Sequence, residues 1–342
     1  MQGPQTIGAK AMVTGGAGFI GSELVKQLAE TGCRVLVVDN LVNGRRENLE
    51  GLGSESVELG VADIRDQERM RALLRGVDLV FHLACLGVRH SIHSPVENHE
   101  VNATGTLRLL IEAREASVKR FVYVSSSEVY GTARSVPMTE EHPTSPMTVY
   151  GSSKLAGECY TRAFWHTYGF PTVVVRPFNA YGPRCHHEGD SGEVIPKFLL
   201  RCMAGLPMVV FGDGTQTRDF TFVSDTAAGI LLAGTAAAAV GQTINLGNGS
   251  EICINDLARQ VAGVVGGSPN IIHDRPRPAD VLRLYADSTR AKDILRFQPR
   301  ITLEEGLRQL RQWYLVRGET PECLLESEVV HNWEADGSST GG

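Results

Sequence analysis

The chain reads as an α/β protein: a doubly wound parallel sheet followed by a smaller mixed α/β C-terminal domain. Three observations predict this. Continuous apolar runs such as 34–39 (Arg-Val-Leu-Val-Val-Asp) mark strands buried on both faces. Amphipathic helical stretches alternate with those runs, as right-handed strand–helix–strand crossovers require. The first strand also runs into a glycine-rich turn, Thr14-Gly15-Gly16-Ala17-Gly18-Phe19-Ile20-Gly21, that opens a helix.

The elements follow in order. Residues 10–14 form the first strand, and the helix after the turn extends to about Thr31. Buried strands follow at 34–39, 77–83, 120–125 and 172–176, with a short strand before Asp63. Helical spacing fills 66–75, 97–117 and 150–168. After Pro177 the regularity breaks into Gly-, Pro- and His-rich stretches such as 182–189. Shorter helices are expected at 194–204, 224–232, 254–265, 288–295 and 303–315. Residues 1–177 are therefore assigned to the sheet domain and 178–317 mainly to the second domain, with some segments returning to the sheet. Residues 318–342, acidic and ending in Gly-Ser-Ser-Thr-Gly-Gly, read as a flexible tail. There is no internal repeat.

The 342 residues, 42% of them hydrophobic, suffice for a substantial core. A net charge of −6 draws the chain neither to nucleic acid nor to an anionic membrane, so its cations act locally. Seven dispersed cysteines without a Cys-x-x-Cys pair read as reduced thiols. No signal peptide or bilayer-length apolar run is seen, and a cytoplasmic location is expected.

Gly15, Gly18 and Gly21 have the spacing that lets backbone N–H groups approach a pyrophosphate at a helix N-terminus. Asp39 closes the second strand, 18 residues past Gly21, where a carboxylate accepts both ribose hydroxyls of NAD and repels the extra phosphate of NADP. Arg45 and Arg46 follow, so NADP stays open, with NAD preferred. Asp63 with Ile64 suits an adenine amino group, or Asp63 caps a helix.

Tyr150 precedes Lys154 by one helical turn, so phenol and ammonium share a face. The ammonium should favour the phenolate and draw the tyrosine pKa toward working pH. Hydride transfer from a carbinol needs such a base. Ser126, at the end of the fourth buried run, is the hydroxyl expected to hold the reacting oxygen.

These residues, with Asp39-Asn40, His82-Leu83-Ala84, Val101-Asn102, Arg176-Pro177 through Arg184, Gln216 to Phe220 and Arg275 to Asp280, resemble the extended short-chain dehydrogenase/reductase family. Within it they are similar to the nucleotide-sugar epimerase, dehydratase and decarboxylase branch, over roughly residues 10–315. The resemblance implies a Rossmann sheet and a tightly held NAD that oxidises the sugar at C4 and later returns the hydride. It places NAD against Gly15, Gly18, Phe19, Ile20, Asp39, Asn40, Asn43, Gly44, Asp63, Ile64, Leu83, Ala84, Asn102, Tyr150, Lys154 and Pro177. It places a UDP-sugar against Asn179, Val194, Lys197, Val209, Phe211, Arg218, Arg277 and Asp280. Arg89, Arg184 and His186 are candidates to hold a sugar carboxylate. No metal is expected at His186, His187 and Glu188, and a homodimer through helices 97–117 and 150–168 is.

Glu128 discriminates within the branch. Epimerases usually carry a small or hydroxylic residue there, whereas dehydratases and UDP-glucuronate decarboxylases usually carry Glu. Ser127 stands where dTDP-glucose dehydratases have an acidic residue, so Ser127-Glu128 resembles the decarboxylases more closely, although GDP-mannose dehydratases share it. The segment around Tyr150, in contrast, is epimerase-like. UDP-glucuronate decarboxylase is the leading expectation, UDP-sugar 4-epimerase the alternative, and a 4,6-dehydratase the third.

Overall fold

A computed structural model describes residues 8–53, 56–189, 191–277 and 280–334. The chain enters through β1 (Lys10–Thr14), α1 (Phe19–Glu30), β2 (Arg34–Asp39), β3 (Val57–Val61), α2 (Gln67–Leu73) and β4 (Leu79–His82). It continues through α3 (His90–His93), α4 (Pro95–His99), α5 (Thr106–Glu115), β5 (Arg120–Val124), α6 (Val149–Tyr168), β6 (Thr172–Pro177) and β7 (Ala180–Tyr181). Then come α7 (Val194–Met203), β8 (Met208–Phe211), β9 (Thr217–Arg218), β10 (Thr221–Phe222), α8 (Val223–Thr235), β11 (Thr243–Leu246) and β12 (Ile252–Cys253). The last are α9 (Ile254–Val265), β13 (Ile271–Asp274), α10 (Leu303–Val316) and α11 (Pro321–Leu325).

Seven strands in the order β11-β6-β5-β4-β1-β2-β3 form one parallel sheet. Successive residues of its central strands go to opposite layers. Val13, Val37 and Phe81 pack with Leu24 and Leu28 of α1 and Ile230 of α8. Met12, Leu36 and Val80 pack with Met70, Leu109 and Phe164 from α2, α5 and α6. Both faces are dry, which is why these strands read as unbroken apolar runs.

Three features differ from the sequence reading. The helix expected over 97–117 is α4, a π-helical stretch Glu100–Gly105 and α5. The helix expected at 288–295 is a π-helical turn, Ala291–Leu295. The segment from 319 to 334 is not a loose tail: α11 buries Leu324, Arg201 pairs with Glu328, and Asn332 is 1% exposed. Charged side chains on the body supply anchors that composition cannot reveal. Residues 335–342 lie outside the described residues.

Beyond β6, α7, α9 and α10 pack over a second apolar cluster that includes Leu199, Leu257 and Leu307. Two elements return to the large sheet: β11 pairs with β6, and α8 covers its face. No helix among the described residues is long and apolar enough to cross a membrane.

Helix α6 is fastened from within. Thr148 caps it, its hydroxyl accepting from Gly151 N at 3.1 Å. Gly157 permits close approach to β5, since a Cβ there would lie 2.3 Å from Tyr123 Oη. One turn after Lys154, Glu158 accepts from Arg176 of β6 at 2.6 and 2.8 Å. Arg176 also donates to Tyr130 Oη, which donates to Asn245 Oδ1 on β11, both at 2.7 Å. Burial raises the Glu158 pKa, but Arg176, Ser125 and Arg162 outweigh it, and the carboxyl ends below its ordinary value.

Glu158→Gln leaves the buried Arg176 charge without its partner and should cost about 3–5 kcal/mol of stability in urea unfolding. A depressed carboxyl stabilises above its unfolded pKa and loses that contribution as pH falls through its folded pKa. The gap between wild type and variant should therefore shrink in acid.

Candidate active site

A cleft of about 940 Å³ opens along the carboxyl ends of the sheet strands, where ligands of open α/β sheets bind. Its cofactor half rests on the glycine turn. Gly15 has φ +70°, and a Cβ there would lie 2.7 Å from Ala84 N. A Cβ on Gly21 would lie 2.1 Å from Gly15 O. Thr14 Oγ1 accepts from Ala84 N at 3.3 Å and lies 2.7 Å from His82 Nδ1, pinning the β4 loop against the turn. Burial, then Lys154, push the His82 pKa down to about 3, so the ring is a neutral strut. Helix α1 begins at Gly18 with no side-chain cap and no acidic residue in its first turn, leaving its N–H groups for an anion.

Asp39 accepts from Ala17 N at 3.0 Å and Leu41 N at 2.9 Å, and Gly44 packs against its carboxylate. Burial raises its pKa while those two N–H groups oppose the rise. Arg45 is tied to Glu188 at 2.6 Å, so one of the two arginines that left a 2′-phosphate open is already engaged. Asp63 pairs with Arg65 and Asn40, and the Arg65 hydrogen bonds bring its pKa to about 2. It does not cap α2; Asp66 does. Phe19, Ile20, Asn43, Ile64, Leu83 and Pro177 also line this half. The cradle fits the adenosine and pyrophosphate of NAD.

At the centre, Ser126 Oγ accepts from Glu128 N at 3.2 Å and sits near enough to the Tyr150 phenol to favour its charged form. Lys154 Nζ donates to Val124 O at 2.9 Å and lies 5.9 Å from the Tyr150 ring centre. The expected lowering of the phenol is not what this geometry produces. Burial drives the Tyr150 pKa well up, Cys85, Glu128 and Glu193 add to the rise, and Ser126 opposes it. Desolvation outweighs an ammonium already turned to a carbonyl.

The substrate half is cationic. Arg89, Lys197, Arg218 and Arg277 all line it. Arg218 pairs with Asp280 at 2.6 Å. Arg277 has a buried Nε without a hydrogen-bond partner, and burial, then Arg89, bring its pKa to about 9. Burial brings Lys197 to about 8. Asn179 Oδ1 is likewise buried and unpartnered. Val194, Val209 and Phe211 supply apolar wall. Two unsatisfied polar atoms among clustered cations mark a place for a polyanion with hydrogen-bonding groups. Glu128 faces this wall: burial raises its pKa, and Arg218 and Arg89 oppose the rise.

Two expected contacts are corrected. Asn102 is not in the cleft wall; it is buried, donates to Leu86 O and accepts from Leu86 N at 2.9 Å each, and so positions the β4 loop from behind. Arg184 is not in the cleft either; it donates to Ser22 at 2.8 Å and reaches Glu23 at 3.6 Å, tying its loop to α1. His186 lines the cleft, with Glu188 3.5 Å away. Sequence reasoning missed Glu193, Cys85, Val330 and Trp333, all in the cleft wall, where Gln216 also stands. Glu193 directly precedes Val194, which was the available signal; burial raises its carboxyl to about 7, against His186 and Arg89.

Gly21→Ala should empty the dinucleotide site, because the added methyl meets backbone rather than a movable side chain. Absorbance ratios and chromatography of the extracted cofactor read the loss. Tyr150→Phe should retain cofactor and lose about 10²–10⁴-fold in kcat, measured by product formation.

Comparisons with known proteins agree with this geometry. Residues 11–247 match the model of the NAD dependent epimerase/dehydratase family. UDP-glucose 4-epimerase of Mycolicibacterium smegmatis is 37% identical over 309 residues, covering 89% of this chain and 98% of that one. UDP-glucuronic acid decarboxylase 1 of Xenopus tropicalis is 33% identical over 312 residues, covering 89% of this chain and 72% of that one. The solved structure of MoeE5 in complex with UDP-glucuronic acid and NAD superposes with a TM-score of 0.81 at 33% identity, covering 90% of this chain and all of that one. With the glycine cradle, Asp39 and the Ser126–Tyr150–Lys154 centre in place, the chain belongs to the NAD dependent epimerase/dehydratase family and uses NAD.

Proposed function

We propose that this protein is a UDP-glucuronate decarboxylase that works through a 4-keto sugar. The observation that carries the reading is Glu128: a half-buried carboxyl facing Arg89, Arg218 and Arg277, near enough to Tyr150 to raise the phenol. Bound NAD supplies the acceptor, and later the donor, of the C4 hydride. Tyr150 takes the C4 hydroxyl proton as the hydride leaves; bound NAD, whose nicotinamide is cationic, would offset the burial that raises the free phenol. Ser126 holds the C4 oxygen. The ketone makes the C6 carboxylate a β-keto acid, so the C5–C6 bond breaks, carbon dioxide leaves, and the electron pair moves to the C4 oxygen. Glu128, whose neutral form burial favours, gives a proton to C5. Return of the hydride yields UDP-xylose, and earlier release yields a UDP-4-keto-pentose. Arg277, Arg218 and Lys197 bind the diphosphate, and Arg89 holds the sugar carboxylate.

A UDP-sugar 4-epimerase is the second reading, favoured by the 37% identical relative of that name. Simple epimerisation leaves C5 untouched and needs no carboxyl there. A homodimer belongs to both readings: α4 leaves Val96 71% exposed and α6 leaves Val149 and Tyr168 exposed. Light scattering of the purified protein measures it.

Incubation with UDP-glucuronate should give a product lighter by carbon dioxide; an unchanged mass with a new C4 epimer overturns decarboxylation in favour of the second reading. Glu128→Gln should keep C4 oxidation, seen as a rise in NADH absorbance, and slow formation of the C5-protonated pentose product by about 10²–10⁴-fold. Glu193 gains negative charge beside an anionic substrate as pH rises through about 7. kcat/KM of the wild type should fall across that range, and Glu193→Gln should lack that limb in the same pH–rate profile.

A further inference from the structure

The segment after α11 crosses the open face of the substrate half and is held at several points. Glu328 accepts from Arg201 at 3.0 Å, and Lys197 donates to Val329 O at 2.7 Å. Arg89 Nε donates to Asn332 Oδ1 at 3.2 Å, and Asn332 Nδ2 donates to Gly192 O at 3.2 Å. His331 Nε2 lies 2.8 Å from Asp274 Oδ2 at the end of β13. Arg89 and Lys197 thus serve both the cleft and the strap.

These anchors deliver Trp333 to the cleft wall, where it is half-buried. Its ring meets Phe211 at 87° with centroids 4.7 Å apart. The Arg277 guanidinium lies 5.3 Å from the Trp333 ring and 5.2 Å from the Phe211 ring. Gln216, also in the wall, donates to Phe211 O at 2.8 Å. Two half-exposed rings at right angles, bridged by a cation whose Nε has no partner, make a corner that is apolar toward a planar ring and positive toward an adjoining phosphate. A nucleoside diphosphate has those two parts in that order.

We propose that the C-terminal segment is the nucleobase wall of the substrate site, and that Trp333 with Phe211 forms the corner that receives the base of a nucleoside diphosphate. This inference rests on the reading of the substrate as a nucleoside-diphosphate sugar. It gives a function to a stretch whose composition alone reads as tail. Base recognition then depends on a residue more than a hundred positions from the rest of its pocket wall at Phe211 and Gln216.

The test uses the full-length protein with NAD bound. UDP and inorganic pyrophosphate are titrated against wild type, Trp333→Ala and Trp333→Phe by calorimetry. Stacking on one aromatic ring sets the expected loss: Trp333→Ala should weaken UDP and raise KM about tenfold to a hundredfold. kcat, NAD content and pyrophosphate affinity should stay at wild-type values. Trp333→Phe should recover most of the UDP affinity. If Trp333→Ala binds UDP as wild type does, or loses pyrophosphate equally, the inference is overturned while the proposed function stands. If wild type binds no UDP or UDP-sugar, both fall.

Discussion

The Glu158–Arg176 pair is the constraint on which the rest of the molecule depends. Tyr150 and Lys154 are useful only if α6 holds one rotation and one height against the sheet. An apolar face alone permits sliding, because dispersion contacts are individually weak and non-directional. A buried guanidinium donating two bonds to one carboxylate, at 2.6 and 2.8 Å, does not. Through Tyr130 and Asn245 the same guanidinium links α6 to β6 and β11, so the helix that carries Tyr150 and Lys154 and the far edge of the sheet share one register. Gly157 adds the close approach, and His82 fixes the glycine turn beside it.

The electrostatics of the cleft run in opposition. One wall gathers Arg89, Lys197, Arg218 and Arg277, whose mutual repulsion and burial are relieved by an anionic ligand. Facing it, Glu128 and Glu193 are pushed toward their neutral forms, and Tyr150 toward its protonated one, because desolvation penalises the charged form of each. The site therefore gathers positive charge at one end and disfavours negative charge at the other. That division suits a substrate that carries its phosphates away from the carbon being altered.

Most of the fold was legible in the chain. Apolar runs bounded by helical spacing locate the strands, because a strand covered on both faces has no polar side. The glycine turn, Asp39, Ser126, Tyr150 and Lys154 were legible because a pyrophosphate cradle and a phenol–ammonium pair require those residue types at short, fixed spacing. Asn102 and Arg184 misled for one reason: each lies close to the site in sequence, but its side chain turns away to brace a loop.

What the sequence determined by itself was local: a dinucleotide turn, a phenol and an ammonium on one helix face and the alternation that builds a parallel sheet. All of these arise from residues within a few turns of one another. Tertiary structure alone decided the contacts made across long separations. It brought β11 back beside β6, raised the Tyr150 phenol by burial where spacing forecast a lowered one, and set Trp333 against Phe211. The reason is physical: spacing along the chain specifies which groups share a helix face, whereas desolvation and long-range pairing depend on what the rest of the chain packs around them.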